Sequence, residues 1–301
     1  MPNPRRVFFL AASYNRANKT VSSFRSLRAL ADSLSLNAIF CLVDNNSADN
    51  TVNLVRDSNP SVFIVKTPHN MYWAESMNFG WAALCRVFEV QGSDMIFAFN
   101  DDIKINNNSV VQLQAAINFL SDDLDERQPA AVVFSFLQKE GIDFSFSYGG
   151  LIRSRTSPFL RLKHYQPKRV IQDIEFVQVD TFNMNAVLFR AETLLKNSFL
   201  ATYFRHGGAD YELGLRLSRN HLNIYALNQY FGICQRNKLP LIEFLRFDQL
   251  ILFYSSEFSP KSLPISARFC YYFSSIGLMA FPQILLYYLS PLLKTLLPIR
   301  F

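Results

Sequence analysis

The chain has 301 residues, and half of them are hydrophobic, which is enough for one large domain or two modest ones with a buried core. The net charge of +6 is compatible with anionic small substrates or an anionic membrane surface. No dense stripe of lysine and arginine with interleaved aromatic residues occurs, which argues against nucleic-acid binding. The four cysteines are far apart and include no CxxC pair, so the sequence offers neither a zinc motif nor a disulfide framework.

Short apolar runs alternate with amphipathic helical patterns over the first third of the chain. Thr20 opens a pattern in which apolar side chains recur at three- and four-residue spacing, and residues 73–90 form a second amphipathic helix. The apolar runs predict buried strands at residues 7–12, 38–43, 61–65 and 95–99. Repeated strand–helix alternation with short connections predicts a parallel, doubly wound α/β sheet covered by helices.

Polar residues follow the first, second and fourth of these strands, at 13–16, 44–49 and 100–102. The carboxyl ends of parallel strands lie along one edge of such a sheet, where ligands collect, so we expect the three stretches to converge. Asp44, at the end of the second strand, is well placed to accept hydrogen bonds from a ribose or a base. The sequence contains neither a GxGxxG motif after the first strand nor a P-loop motif, which argues against a dinucleotide cofactor and a P-loop NTPase.

The adjacent carboxylates Asp101 and Asp102 indicate a metal site. Two neighbouring negative charges repel each other unless a cation lies beside them. Oxygen ligands suit Mg²⁺ or Mn²⁺, and these ions also bind substrate phosphates. The stretch therefore predicts a metal–diphosphate site at the edge of the sheet. The alternative is a solvated turn in which Asn100 and the aspartates cap the next helix, near Ser109.

The second half of the chain is less regular. We predict strands at residues 130–137, 144–152 and 177–189. The glycine pair at 149–150 indicates a bulge or a close approach of the backbone. Residues 153–169 are basic and aperiodic, and we interpret them as an exposed loop.

A second glycine pair, at 207–208, precedes a predicted helix. Asp210 and Glu212 lie in its first turn, and Arg216 and Arg219 lie toward its carboxyl end, as the helix dipole favours. The pattern is typical of a functional acidic residue at a helix start, and equally of an ordinary capped surface helix.

From residue 238 the composition shifts to aromatic and aliphatic residues with frequent prolines. We therefore predict a main domain at 1–237 and a C-terminal helical, membrane-associating region at 238–301. Residues 269–293 carry no charged side chain and are long enough for a membrane span. Polar residues and prolines interrupt the run, so we favour one or two helices in the membrane interface over a span or a hydrophobic helical cap. The cations expected at the lipid head groups are Lys261, Arg268, Lys294 and Arg300.

The N-terminus bears on localisation. Its apolar run, residues 7–12, is too short for the core of a signal peptide. We therefore expect a cytoplasmic protein that lies peripherally on the inner face of the cell membrane.

Several separated stretches, in this order and at these spacings, resemble family 2 glycosyltransferases with the GT-A fold. The resemblance covers residues 5–237. The stretches are SYNR at 13–16, DNNSADNT at 44–51, HNMYWAESMNFG at 69–80, NDDI at 100–103 and HGGADYELGLR at 206–216. Two further stretches are similar to a bacterial subgroup that builds surface polysaccharides: YFGICQRN at 230–237 and SPKSLP at 259–264.

The resemblance implies a role for each matching residue. Asp102 takes the place of the last carboxylate of the family's DxD motif and would bind Mg²⁺ or Mn²⁺, while Asn100 fills the first position. The metal-binding His that many members carry after the last strand has no counterpart at 230–237, so we assign no third ligand. The residues that would bind the donor are Tyr14, Arg16, Asp44, Asn70, Asn78, Asn100 and Asp101.

Asp210 matches the general base of the family. Ala209 stands where many members have Glu, which leaves Asp210 as the first choice and Glu212 as the second. The implied reaction is inverting transfer of a sugar from a UDP or dTDP donor to a glycan or lipid-linked acceptor. Independently, such a transfer needs a cation at the leaving diphosphate and a base for the acceptor hydroxyl.

Two other functions compete with this interpretation. A sugar-phosphate nucleotidyltransferase uses a similar sheet, but it would normally carry a glycine-rich loop after the first strand, and residues 13–16 contain no glycine. A non-catalytic subunit that binds sugar nucleotides or glycans would explain the incomplete motifs at Asn100 and Ala209.

Overall fold

A computed structural model of the chain describes residues 6–122, 129–167, 173–236 and 265–296. The strands are β1 (Arg6–Ser13), β2 (Asn37–Asp44), β3 (Phe63–Lys66), β4 (Met95–Phe99), β5 (Lys104–Ile105), β6 (Pro129–Glu140), β7 (Asp143–Tyr148), β8 (Gly150–Arg153), β9 (Leu162–His164), β10 (Phe176–Val179), β11 (Thr181–Phe182), β12 (Ala186–Arg190) and β13 (Asn223–Ile233). The helices are α1 (Ala17–Ser33), α2 (Thr51–Ser58), α3 (Trp73–Phe88), α4 (Ser109–Ser121), α5 (Ala191–Asn197), α6 (Ala209–Arg219), α7 (Ile265–Ile276) and α8 (Ala280–Leu296), and a short 3₁₀ turn, Gly277–Met279, joins the last two.

The main sheet has the strand order β10-β13-β6-β12-β4-β1-β2-β3, with β5 paired to β13 and β7 to β6. The neighbours β3, β2, β1 and β4 run parallel. β12 is antiparallel to both β4 and β6, and β13 is parallel to β6, so β6 and β13 point the same way as β4. A small antiparallel sheet contains β11, β8 and β9. The structure confirms the predicted mainly parallel sheet flanked by helices.

The apolar pattern of the central strands explains this arrangement. Every residue of β4 is buried, as a strand covered by helices on both faces requires. In β1 alternate side chains enter different cores, because successive residues of a strand point to opposite faces. Phe8 and Leu10 pack in the first core, with α3, α6 and α7. Phe9 and Ala11 pack in the second core, with α1 and α4, where the rings of Phe9 and Phe40 stack at 4.4 Å.

The second half differs in detail from the prediction. The predicted strand at 144–152 is divided into β7 and β8, which belong to different sheets. The predicted close approach is confirmed at Gly150, where a Cβ atom would lie 2.8 Å from the side chain of Val179. Residues 153–169 are not simply a loop, because Leu162–His164 forms β9 and pairs with β8. Period-two patterning cannot reveal so short a strand.

The C-terminal helices pack on the main fold. Ala267 and Tyr271 of α7 are buried in the first core, and Gln283 of α8 exchanges two hydrogen bonds with the backbone of Leu160, at 2.7 and 3.1 Å. The stretch Ser266–Ser290 is nevertheless long and apolar enough to cross a membrane, and only 11% of its most apolar window is buried. The predicted C-terminal apolar helix is therefore present. The predicted domain boundary at 238 lies outside the described residues.

One expectation for this region is wrong. Arg268, predicted to lie at lipid head groups, is buried, and its guanidinium stacks on the ring of Tyr287 at 3.9 Å. The packing of α7 against α8 causes this, because it encloses a side chain whose stem is apolar and whose charge the aromatic ring can stabilise. The side chains of Lys261, Lys294 and Arg300 lie outside the described residues.

We expect Gly214→Ala to destabilise the protein by about 1–3 kcal/mol, although alanine is the better helix former. A Cβ atom at Gly214, in α6, would lie 2.3 Å from Oγ1 and 2.7 Å from Cα of Thr181, and backbone of β11 cannot move aside as a side chain can. Denaturant unfolding measures the effect. The matched control is Gly92→Ala, where the nearest atom would be at 3.5 Å and stability should be nearly unchanged. Equal stability of the two variants would contradict this close contact.

Candidate active site

The loops after β1 and β2 are joined at the carboxyl edge of the sheet. The backbone N–H of Asn45 donates to the carbonyl of Ser13 at 2.9 Å. Asn15 adopts a positive φ of 51°, and its side-chain oxygen accepts hydrogen bonds from the N–H groups of Ala48 and Asp49 at 2.7 and 3.3 Å. Asparagine tolerates this left-handed backbone better than most residues. The structure thus brings these two loops together, as expected from the parallel topology.

Arg16 links the first strand to the carboxylate pair. It directly precedes α1, and its Nη1 lies 2.7 Å from Oδ1 of Asp101 while its Nη2 lies 3.4 Å from Oδ2 of Asp102. The hydroxyl of Thr20, one turn into α1, donates to Oδ2 of Asp101 at 3.1 Å and lies 2.8 Å from the hydroxyl of Ser13. A guanidinium between two carboxylates relieves the repulsion between them.

The two carboxylates have different surroundings. Asp101 is buried, and this burial raises its pKa although Arg16 opposes the shift. Asp102 lies farther out, with 13% of its side chain exposed. Its Oδ1 is 3.5 Å from Sγ of Cys234, the residue after β13. Burial and the charge of Asp102 raise the pKa of Cys234, so the thiol keeps its proton and donates. Asp102 is therefore the carboxylate that can reach a ligand.

The donor set can be tested against a divalent metal ion. Among the described residues, no group of three His, Cys, Asp or Glu side chains is placed to hold a metal. Mg²⁺ commonly uses only one or two protein carboxylates and takes its other ligands from waters and substrate phosphates. The single outward carboxylate of Asp102 fits that mode. The site therefore suits an ion that binds together with a diphosphate, and it does not suit a metal held by protein alone.

The predicted nucleotide-binding residues lie beside this cluster. Asp44 is buried at the end of β2 and accepts long hydrogen bonds from the N–H of Ser47, at 3.3 and 3.4 Å. Tyr14 is 47% exposed, so a ring of the size needed for base stacking faces solvent. The side-chain oxygen of Asn70 accepts a hydrogen bond from Asn46 at 3.2 Å. These contacts place Asn70 next to the loop that follows β2.

Asn78 lies elsewhere. Its amide forms two hydrogen bonds with the backbone of Leu200, at 2.8 and 3.0 Å. The contact fastens α3 to the segment that follows α5. The side chain is engaged as a donor and as an acceptor in this contact, and a role for Asn78 in donor binding stays a prediction.

Asp210 stands at the start of α6, just after Gly208, whose φ of 85° favours glycine. Its carboxylate accepts hydrogen bonds from the N–H groups of Met184 and Tyr211, at 3.3 and 3.0 Å. Burial raises the pKa of Asp210 to about 6, against the opposing effect of these two hydrogen bonds. A carboxylate with such a pKa is suited to general base catalysis near neutral pH.

A short segment joins Asp210 to the carboxylate pair. Met184 donates to Asp210, and the next residue, Asn185, accepts a hydrogen bond from the N–H of Asn100 at 2.9 Å and donates to Sγ of Cys234 at 3.3 Å. Asp210 and the carboxylate pair thus lie on two sides of this segment. The sequence analysis did not predict that Met184, Asn185 or Cys234 would connect the two parts of the site. The asparagines that interrupt the apolar run at 177–189 could have indicated that this strand region carries functional polar residues.

Glu212 has a different environment from Asp210. It is buried, and the guanidinium of Arg216 donates to both of its oxygens, at 2.9 and 3.2 Å. Arg216 also donates to the backbone carbonyls of Asn197, Ser198 and Phe199. The ion pair within α6 holds Arg216, whose hydrogen bonds to these carbonyls fasten α6 to the end of α5. This structural role of Glu212 favours Asp210 as the base.

The raised pKa of Asp210 predicts how stability changes with pH. The folded state holds the proton of Asp210 more tightly than the unfolded state does, so proton binding stabilises the fold. This stabilisation is complete below the ordinary pKa of 3.8 and is lost as the pH rises through about 6. The natural chain thereby loses at most about 3 kcal/mol of its free energy of unfolding. Asp210→Asn has no carboxylic proton at this position, so it keeps its stability over the same pH range. In denaturant unfolding, the variant should be more stable than the natural chain at about pH 8 but not at about pH 4. A difference that does not change with pH would contradict the shift.

No protein-family model and no curated protein sequence matches this chain. Its fold is similar to solved structures. GalNAc-T7 with UDP, GalNAc and Mn²⁺ gives a TM-score of 0.54 at 9% identity over 96% of this chain and 58% of the other. A mannosyltransferase of Pyrobaculum calidifontis in complex with GDP-Man and Mn²⁺ gives 0.47 at 14% identity over 75% and 57%. Residues 1–349 of TarS from S. aureus give 0.48 at 12% identity over 77% and 60%.

This chain spans about three fifths of the length of each of these structures. At such low identity, the likeness to GalNAc-T7 establishes the class of fold and nothing finer. The chain has a GT-A type fold, and the polar cluster described above lies at the carboxyl edge of its main sheet, where ligands bind in open α/β sheets.

Proposed function

We propose that this chain is a metal-dependent, inverting glycosyltransferase that moves a sugar from a nucleoside diphosphate donor to a hydroxyl of a glycan or lipid-linked acceptor. One observation carries the proposal. Arg16, Asp101 and Asp102 form one cluster at the carboxyl edge of a GT-A type sheet. Met184 and Asn185 connect this cluster to Asp210, a carboxylate with a pKa of about 6. The fold supports a transferase, and the cluster supplies the groups that its chemistry needs.

The leaving-group side contains Asp102, Arg16 and Asp44. Mg²⁺ or Mn²⁺, when bound at Asp102, would supply positive charge to the leaving diphosphate. Arg16 offsets part of the negative charge of the carboxylate pair in the free protein, and its guanidinium has further N–H groups that can donate to phosphate oxygens. Asp101 holds Arg16 in place. Asp44 and Tyr14 bind the ribose and the base.

The acceptor side contains Asp210. Its carboxylate removes the proton from the acceptor hydroxyl as the oxygen attacks the anomeric carbon. The acceptor oxygen forms its bond to the anomeric carbon as the bond to the nucleoside diphosphate breaks on the opposite face, and this single displacement inverts the configuration at that carbon. Since burial raises the pKa of Asp210 to about 6, the transfer rate should rise with pH through that value and then level off.

The finer assignments rest on the sequence. The motif stretches support membership of glycosyltransferase family 2, a role in bacterial surface-polysaccharide synthesis and a donor of UDP or dTDP type. GalNAc-T7 was solved with UDP, and dTDP and GDP serve as comparison nucleotides in the tests. We propose a cytoplasmic location, peripheral on the inner membrane face, because the exposed apolar surface of α7 and α8 suits an interface.

A second function has a specific observation in its favour. Arg16 contacts both carboxylates, so a guanidinium already supplies the positive charge that a metal would bring. Together with Asn100 and Ala209, this favours a subunit that binds sugar nucleotides or glycans without catalysis. Calorimetry with UDP, dTDP and GDP, with and without Mn²⁺, and an assay for released nucleoside diphosphate separate the two. Mn²⁺-dependent binding with turnover supports the enzyme, and tight binding without turnover on any acceptor supports the subunit.

We expect the triple variant Leu278→Gln, Leu285→Gln, Leu286→Gln to lose membrane binding by about 100-fold or more, since each leucine contributes apolar burial. All three side chains are at least 49% exposed, on α8 and the turn before it, so folding should not suffer. Removing the helices instead would uncover Tyr271 and the first core. Flotation with vesicles measures the loss. The control replaces exposed apolar residues elsewhere, Leu54, Val111 and Leu195, by glutamine; equal loss there would contradict a specific interface.

A further inference from the structure

A second polar cleft lies away from the candidate active site. It is bounded by β8, the residues around β10, the carboxyl end of α6 and the end of α7, and its cavity volume is about 180 Å³. Sites for whole small-molecule ligands usually enclose about 300–1,000 Å³, so this cleft suits a head group and not a complete sugar nucleotide. The polar side chains that line it include Arg153, Arg155, Asp180, Ser218, Arg219 and Ser275.

The cleft is electropositive. Among the described residues that line it, there are three arginines and one aspartate, Asp180. Asp180 accepts hydrogen bonds from the N–H of Arg153, at 2.7 Å, and from the guanidinium of Arg155. Arg219 lies 3.8 Å from Glu212, but Arg216 already neutralises that carboxylate from 2.9 Å. The lining therefore keeps an excess of positive charge. The side chain of Arg155 is 74% exposed, so its guanidinium is accessible to a ligand.

The cleft is also fastened to the apolar C-terminal helices. The guanidinium of Arg219 donates to the carbonyl of Ser274 in α7. Arg153 is the last residue of β8, and Arg155 lies in the connection from β8 to β9. At Leu160 this connection is hydrogen-bonded to Gln283 of α8. The exposed apolar side chains of these helices and their turn are Phe273, Leu278, Met279, Phe281, Leu285, Leu286 and Leu289.

We propose that the Arg153–Arg155–Arg219 cleft binds the phosphate group of an anionic membrane lipid. Guanidinium groups bind phosphate oxygens with paired hydrogen bonds, and the adjacent apolar surface places the cleft at head-group depth. The three arginines thus fix the orientation of the protein on the bilayer. The proposal rests on the proposed membrane association and does not depend on sugar transfer.

The test compares two double variants of the full chain with the same change in net charge. Arg153→Gln with Arg155→Gln alters the cleft. Arg25→Gln with Arg56→Gln removes two exposed charges on α1 and α2, helices that pack on the other face of the main sheet. Binding is measured by co-sedimentation with phosphatidylcholine vesicles that contain either no anionic lipid or about 30% phosphatidylglycerol. Thermal unfolding and nucleotide binding are measured for each variant.

The cleft variant should bind the anionic vesicles about 30-fold more weakly, since each lost cation near such a surface costs roughly a factor of five. Its binding to pure phosphatidylcholine, its melting temperature and its nucleotide affinity should be unchanged. An equal loss in the Arg25/Arg56 variant would overturn the proposal in favour of general charge attraction. The proposal would also be overturned if calorimetry showed that inorganic phosphate binds at the cleft but the cleft variant bound anionic vesicles as well as the natural chain does. Failure of nucleotide binding alone would overturn the proposed function and leave this site standing.

Discussion

Replacing Asp210 by asparagine is expected to slow sugar transfer by about 10²- to 10⁴-fold, the usual contribution of a general base. Asparagine keeps the shape of the side chain, but it cannot take up a proton. Met184 and Tyr211 donate to different oxygens of Asp210, and the single amide oxygen of asparagine keeps only one of these two hydrogen bonds in place. Donor affinity should change little, because the base acts on the acceptor. Transfer rate and donor Kd are measured for the same preparation, with thermal unfolding as the check on folding.

Glu212→Gln is the comparison variant, because it changes the other acidic residue of the same helix turn. It weakens the ion pair with Arg216, so it should lower the melting temperature while the transfer rate of the folded protein falls far less. Near-natural transfer by Asp210→Asn would rule out the assignment. If Glu212→Gln were the variant that stops turnover in a folded protein, Glu212 would take the role of base.

Asp102→Asn is expected to abolish Mn²⁺-dependent binding of the nucleoside diphosphate while the fold is kept. The amide removes a full negative charge at the position of the cation. Its remaining oxygen can still accept the hydrogen bond from the buried thiol of Cys234, so the fold should be kept. Residual binding without metal should remain, since Arg16 and the residues after β1 and β2 are unchanged. Calorimetry with UDP, in Mn²⁺ and in EDTA, measures the difference.

Asp101→Asn provides the matched control, one residue away. Asp101 is buried and holds Arg16 and Thr20, so its replacement should lower stability and weaken nucleotide binding moderately, with the Mn²⁺ dependence kept. Unchanged Mn²⁺-dependent affinity in Asp102→Asn would contradict the metal assignment. A loss of metal dependence in Asp101→Asn, with Asp102→Asn unaffected, would exchange the two roles.

Much of the sheet edge could be predicted from the sequence. The apolar run of β4 stops at Asn100, and parallel topology alone places the residue after each strand on one edge. The loops beginning at Tyr14 and Asp44 were therefore expected to meet the aspartate pair, on the basis of local patterns and one rule of topology alone.

The contacts that decide chemistry could not be predicted in the same way. Cys234 reaches Asp102 across 132 positions of the chain, and Asn185 joins two parts of the site through a backbone carbonyl. Such contacts depend on the register of antiparallel strands late in the chain, which no local pattern fixes. The burial of Arg268 against Tyr287 was missed for the same reason, since composition does not show how two helices pack.

The most direct test of the proposed function is release of nucleoside diphosphate from a panel of UDP-, dTDP- and GDP-sugars, because hydrolysis needs no acceptor. The proposed function predicts that at least one donor is hydrolysed in Mn²⁺ or Mg²⁺. It also predicts that EDTA stops the release and that Asp102→Asn shows none. Binding of a donor with no hydrolysis and no transfer to any acceptor would contradict a glycosyltransferase, as would hydrolysis that continues unchanged in EDTA and in Asp102→Asn.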